Sequence, residues 1–192
     1  KRQTLGSAAS ENVPVHVSTN GPVISAWRWI RNSAPIGFFQ KFGDFSGNVD
    51  RWHYYDLHLP STAMIDFGSI DAALNCHEEH RNRGVRIFAL HFVTPVTEEY
   101  TIDYWMHLRN TAVGDDIASE QMDSMFQVAF CEDKEILEAV HEQEKRLQKR
   151  RPIRIAIDKA PSVYRKRIRD LIAAESTLDL GEPVDAVFIQ HD

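Results

Sequence analysis

The chain has 192 residues, of which 43% are hydrophobic and 26% are charged, and its formal net charge is −6 at pH 7. These values are typical of an ordinary soluble globular protein with one sizeable domain, and the negative charge argues against nucleic acid and anionic membranes as partners. No apolar run approaches the roughly 20 residues that span a bilayer. Two cysteines form no disulfide framework, which favours a reducing interior such as the cytoplasm.

The first part of the chain predicts an antiparallel sheet. Period-two alternation and β-prone residues predict six strands, at 13–18, 22–30, 49–59, 63–71, 85–96 and 99–110. A short apolar helix or plug is predicted within 34–48, and the polar segment 72–84 is predicted to be a connecting loop.

The last part of the chain predicts helices. Asp115 and Asp116 can cap a helix over 117–149, and Pro161 suits the first turn of a final helix over 161–176. A run of strands followed by long helices predicts an α+β fold, with a curved antiparallel sheet packed against long C-terminal helices. We expect residues 1–192 to form a single domain.

One carboxylate interrupts the apolar stripe of the long helix, which we expect to be buried along its length from Phe126 to Val140. Asp133 shares a helix face with the residues three and four positions away, which are Ala129, Phe130, Ile136 and Leu137. A buried, unpaired carboxylate is costly, so it requires a cation, a metal or a proton. Two interpretations remain open from the residues alone: an ion pair with an arginine such as Arg51 or Arg109, and a metal ligand or catalytic acid.

Two strands carry a titratable residue among apolar neighbours. His91 lies in "IFALHFVTP", where both faces are apolar, so we expect it to be buried, with Ala89 leaving room beside the imidazole. Asp66 lies in "AMIDFG" in a similar setting. Each is either a structurally satisfied polar group or a pocket residue. Nucleotide-binding loops, the GxSxG elbow and HExxH are absent from the sequence.

Four segments resemble one family in the same order. They are "FSGNVDRWHYYDLHLPSTAMIDFG", "HFVTPVTEEYTIDYWMHLRN", "FCEDKEILEAVHEQ" and "IAIDKAPSVYRKRIRDLIAAE", beginning at residues 45, 91, 130 and 155. They are similar to segments of the Rieske non-haem iron oxygenases of the vanillate and dicamba O-demethylase type, the aromatic ring-hydroxylating oxygenase α subunits. The resemblance runs from "TLG" at 4–6 to Glu175.

The resemblance implies a helix-grip-like catalytic domain that uses O₂ at a mononuclear Fe(II) to hydroxylate or demethylate a small aromatic substrate. Electrons would come from a Rieske [2Fe-2S] cluster and an NADH-dependent reductase or ferredoxin, within a homotrimer in the bacterial cytoplasm. It implies that Asp133 is the carboxylate of a 2-His-1-carboxylate iron site. It also implies that His91 and Asp66 bind substrate, and it assigns no further catalytic residue.

The chain lacks two features of that family. In that family the DxxHxxxxH segment with the two iron histidines lies directly ahead of the "TLG" stretch, where this chain has only three residues and no histidine. The CxH and CxxH pairs of a Rieske cluster are absent from the sequence. We therefore expect a catalytic-domain fragment that lacks the upstream Rieske domain and both histidine ligands, and that is inactive alone. The alternative is a non-enzymatic helix-grip domain that binds a hydrophobic ligand.

Overall fold

The computed structural model describes residues 13–146, 155 and 158–175. Six strands form one antiparallel sheet in chain order: β1 (His16–Asn20), β2 (Val23–Ser33), β3 (Val49–His58), β4 (Thr62–Asp71), β5 (Val85–Pro95) and β6 (Thr101–Arg109). The helices of this part of the chain are α1 (Gly37–Phe42), α2 (Asp116–Arg146) and α3 (Lys159–Glu175). The predicted α+β class, an antiparallel sheet followed by long helices, is confirmed.

The connections also follow the sequence pattern. The predicted loop at 72–84 contains two short 3-10 turns, Ala72–Leu74 and Glu78–Arg83. The Asp115 side chain accepts a hydrogen bond of 3.0 Å from the backbone N–H of Ala118, so it is the N-cap of α2. The predicted ends of the two long helices, at 149 and 176, lie outside the described residues.

The two faces of the sheet carry different clusters. α1 and the first half of α2 pack on one face, where the buried core consists of Ile36, Phe38, Phe39, Phe67, Val85, Ile87, Ala89, Met122 and Phe126. Burial of each large side chain in this set contributes roughly 1.5–3 kcal/mol. On the opposite face, Trp52 and Ile70 pack against Cys76 from the 72–84 segment.

The second half of α2 extends past the sheet. At 1.5 Å per residue its 31 residues measure about 46 Å, whereas the longest strands, of 11 residues, span about 37 Å. The apolar stripe of α2 is therefore buried only at its start. Ile136, Leu137 and Val140 are 61%, 67% and 50% exposed, so the expectation that the whole stripe is buried was wrong for them.

α3 contacts the turns at one end of the sheet. The Tyr164 hydroxyl donates to the Pro60 carbonyl at 2.9 Å, and the Arg167 guanidinium donates to the Gly21 carbonyl at 2.7 Å. Among the described helices, none combines the length and the apolarity needed to cross a bilayer.

Candidate active site

A cavity of about 170 Å³ lies between the sheet and α2. Its apolar lining consists of Ile36, Phe39, Ile65, Phe67, Ala89, Phe126, Ala129 and Phe130. Several neighbouring strands contribute to this lining, and on each strand the alternate residues that point to the α2 face are the ones that reach the cavity. An engineered apolar cavity of about 150 Å³ binds benzene, so this cavity is large enough for one aromatic ring.

The polar lining of the cavity is basic. It consists of Arg28, Arg51, His53, Tyr55, His91 and His107. No carboxylate of the described residues lines the cavity. The interior therefore favours a neutral or anionic ligand over a cationic one.

His91 lies in the cavity wall and is held by a carboxylate. Its Nδ1 is 2.8 Å from Oδ2 of Asp103, its side chain is 13% exposed, and its ring meets Phe130 edge-on at 5.5 Å between centroids. When Nδ1–H donates to Asp103, Nε2 is the nitrogen that remains for a ligand. This position is compatible with substrate binding, which stays a prediction.

His107 is a second cavity histidine, which the sequence analysis did not single out. Its ring stacks on Phe126, with centroids 3.7 Å apart and planes 10° from parallel. Burial, with a smaller contribution from nearby His91, lowers the pKa of His107 to about 4. The imidazole is therefore neutral at pH 7, and its Nδ1 has no hydrogen-bond partner in the structure.

Arg51 is a buried cation in the cavity wall. It is 1% exposed, and its Nε and Nη1 have no hydrogen-bond partner, while Nη2 lies 3.4 Å from Nε2 of His53. Burial, assisted by the charge of Arg28, lowers the pKa of Arg51 to about 10, so the guanidinium stays charged at neutral pH. The signal for this group was in the sequence: Arg51, His53 and Tyr55 alternate along β3 and so share one face.

Asp66 lies on the opposite face of the sheet, because its neighbours Ile65 and Phe67 face the cavity. Its carboxylate accepts from Trp52 Nε1 at 3.0 Å, from Arg81 Nη1 at 2.5 Å and from Arg86 Nε and Nη2 at 2.9 and 2.8 Å. The structure therefore does not support the expectation that Asp66 binds substrate: its carboxylate is the centre of a buried ion-pair network and does not line this cavity.

Asp133 is half-buried on α2, one turn beyond the cavity-lining Ala129 and Phe130. The two arginines considered as its partners are placed elsewhere. Arg51 faces the cavity, and Arg109 donates to the carbonyls of the β6–α2 connection. Within the described part of the chain, no three His, Cys, Asp or Glu side chains converge closely enough to hold a metal ion. A complete iron site therefore does not form from these residues alone, and Asp133 as a ligand stays a prediction.

Comparison with known proteins decides the family. The sequence-family model of the vanillate O-demethylase oxygenase C-terminal domain matches residues 2–174 of this chain. The chain belongs to this family. The resemblance noted in the sequence is thereby confirmed.

Two relatives from Comamonas testosteroni are the toluene-4-sulfonate monooxygenase system iron-sulfur subunit TsaM1 and the putative toluene-4-sulfonate monooxygenase system iron-sulfur subunit TsaM2. Each is 29% identical over 178 residues, which cover 90% of this chain and 51% of the relative. The chain thus spans about half the length of these family members.

Solved structures of dicamba monooxygenase have the same fold. The complex with dicamba superposes with a TM-score of 0.75 at 20% identity, covering 92% of this chain and 51% of that one. The complex with 3,6-dichlorosalicylic acid has a TM-score of 0.74 at 18% identity, covering 92% and 52%. At these identities the likeness shows the fold alone.

Proposed function

We propose that the chain is the catalytic-domain part of an oxygenase component that hydroxylates or demethylates a small aromatic substrate with O₂. The observation that carries the proposal is the ring-sized, mainly apolar cavity between the sheet and α2 in a member of this family. The name of the two relatives from Comamonas testosteroni, toluene-4-sulfonate monooxygenase, supports an aromatic substrate.

Asp133 is the metal ligand of this proposal. It would supply one carboxylate to a mononuclear Fe(II), and two histidines outside this chain would complete a 2-His-1-carboxylate site. When bound, the iron supplies O₂ activation, with electrons from a Rieske [2Fe-2S] cluster carried elsewhere in the protein. Asp133 lies one turn from Phe130, so the iron would be at the end of the cavity where Phe130 meets the His91 ring.

The residues of this chain position the substrate and exclude water. The rings of Phe39, Phe67 and Phe126 form apolar walls against which an aromatic ring can pack. His91, oriented by Asp103, offers Nε2 as a hydrogen-bond partner for a substrate oxygen. The reductase or ferredoxin partner, the homotrimer and the bacterial cytoplasm stay predictions.

The test uses the full-length natural protein and two aspartates of the same helix. In Asp133→Ala we expect mononuclear iron to be lost while the Rieske absorption spectrum survives. Asp123→Ala removes an exposed carboxylate of α2 and is expected to retain both. Iron is quantified per protein and the Rieske centre is measured optically.

Retention of mononuclear iron by Asp133→Ala would show that the ligand set is misplaced. A full-length protein that binds an aromatic compound but no mononuclear iron would instead support the alternative, a ligand-binding domain without a metal.

A further inference from the structure

The Arg51 guanidinium lies at one end of the cavity, and two of its three nitrogens have no hydrogen-bond partner. Charged side chains are almost never fully buried unless they are paired, because a buried charge without a counter-ion is costly. Arg51 is 1% exposed and presents two nitrogens, Nε and Nη1, without a hydrogen-bond partner. A ligand that carries a negative charge would supply the missing partner.

The carboxylates on the neighbouring strands do not serve Arg51, because they are already engaged. Asp50 accepts from Arg31 and from the backbone N–H of Asn32, and Asp66 is held by two arginines on the other face. Asp56, also on β3, accepts from the Ser25 hydroxyl at 2.6 Å. Among the described residues, the other polar side chains of β2 and β3 that line the cavity are basic or neutral: Arg28, His53 and Tyr55.

Arg51 and His91 lie at opposite ends of the cavity. Arg51 pairs with Ser69 across β3 and β4, whereas His91 on β5 pairs with Ala63, six residues earlier on β4. The cavity-facing side chains Ile65 and Phe67 lie between these two positions. An aromatic ring held over them would direct one substituent towards Arg51 and the opposite one towards His91 and α2.

We propose that Arg51 binds the anionic group of the substrate, a carboxylate or sulfonate on an aromatic ring, at the end of the cavity away from His91. The inference rests on the proposed function for the assignment of this cavity as the substrate site. Arg28 and His53, on the same face, add positive charge and hydrogen-bonding capacity beside it. The reacting carbon would then lie across the ring from the anionic group.

The test compares anionic and neutral probes of the same shape. Isothermal titration calorimetry on the full-length protein, as isolated and after iron removal, uses benzoate, benzenesulfonate and neutral benzamide. We expect at least one anion to bind more tightly than benzamide; the two anions distinguish a carboxylate from a sulfonate site. In Arg51→Met we expect that anion to bind at least ~30-fold more weakly, with benzamide within about twofold of wild type.

Stability separates a ligand-binding role from a structural one. Replacing an unpaired buried charge by an apolar side chain of similar length is often neutral or stabilising, so the midpoint of thermal unfolding of Arg51→Met should equal or exceed that of wild type. Arg51→Lys, which keeps the charge without the planar fork, is expected to bind the anion with intermediate affinity. Arg83→Met, at an exposed arginine, is the control and should change neither property.

Three results would overturn the inference: wild type binding neither anion better than benzamide, Arg51→Met binding the anion normally, or Arg51→Met losing stability. The last would show that Arg51 has a structural role in the protein without ligand. Failure of the proposed function would appear instead as iron that does not depend on Asp133, and it would leave the anion titration of the iron-free protein unchanged.

Discussion

The ion-pair network around Asp66 supports a quantitative prediction. Its carboxylate, 8% exposed, receives four hydrogen bonds, from Trp52, Arg81 and two nitrogens of Arg86. Removing one partner of a buried ion pair costs about 3–5 kcal/mol. Arg81 and Arg86 are 20% and 14% exposed and can partly rehydrate, so we expect Asp66→Ala to lower the free energy of unfolding by about 3 kcal/mol.

Urea unfolding at equilibrium measures this loss. In a domain of this size, about 3 kcal/mol corresponds to a fall of roughly 6–12 °C in the melting midpoint. Asp66→Asn should lose less than Asp66→Ala, because the amide oxygen can still accept from Trp52, which is completely buried. Asp123→Asn, at an exposed site, should change stability by at most about 0.5 kcal/mol. A loss under about 1 kcal/mol in Asp66→Ala, with altered affinity for aromatic probes, would refute the structural assignment.

Two further predictions concern the same sheet. The pKa of His107 is about 4 in the folded protein, against an ordinary value of 6.5, so the unfolded chain binds more protons between these two pH values. The free energy of unfolding should therefore fall as the pH drops from 6.5 to 4. His107→Phe should flatten this part of the pH profile, and an unchanged profile would contradict the assignment. A Cβ at Gly68 would overlap the Trp52 ring and the Val85 carbonyl, so Gly68→Ala should lower the free energy of unfolding in urea by at least about 1–3 kcal/mol. Gly47→Ala, which has open space around the new Cβ, should lower it far less. Equal losses in the two variants would contradict the packing.

The order and type of the elements could be predicted because local patterns determine them. Alternation predicts all six strands of the sheet, and Asp115 predicts the start of α2 within one residue. The extent of burial along α2 was not predictable in this way. Periodicity shows which residues share a helix face, but it does not show where the sheet under that face ends, so Ile136 and Leu137 were placed in the core.

The site was predictable only in part for a related reason. Both faces of β4 carry apolar residues, Ile65 and Phe67 on one and Met64 and Ile70 on the face of Asp66, so the pattern does not reveal which face meets the cavity. The two arginines that bind Asp66 are Arg81, in a segment predicted to be a solvated loop, and Arg86, at the start of β5. Arg51 was considered only as a partner of Asp133, because sequence alone does not show that a cation is buried without a counter-ion.

The proposed iron site consists of Asp133 and two histidines that lie outside residues 1–192. Anomalous diffraction at the iron absorption edge, from crystals of the full-length protein, locates the metal. We expect a mononuclear iron peak in direct contact with the Asp133 carboxylate, at the end of the cavity next to His91. A mononuclear iron elsewhere, with Asp133 making only protein contacts, would contradict the proposal.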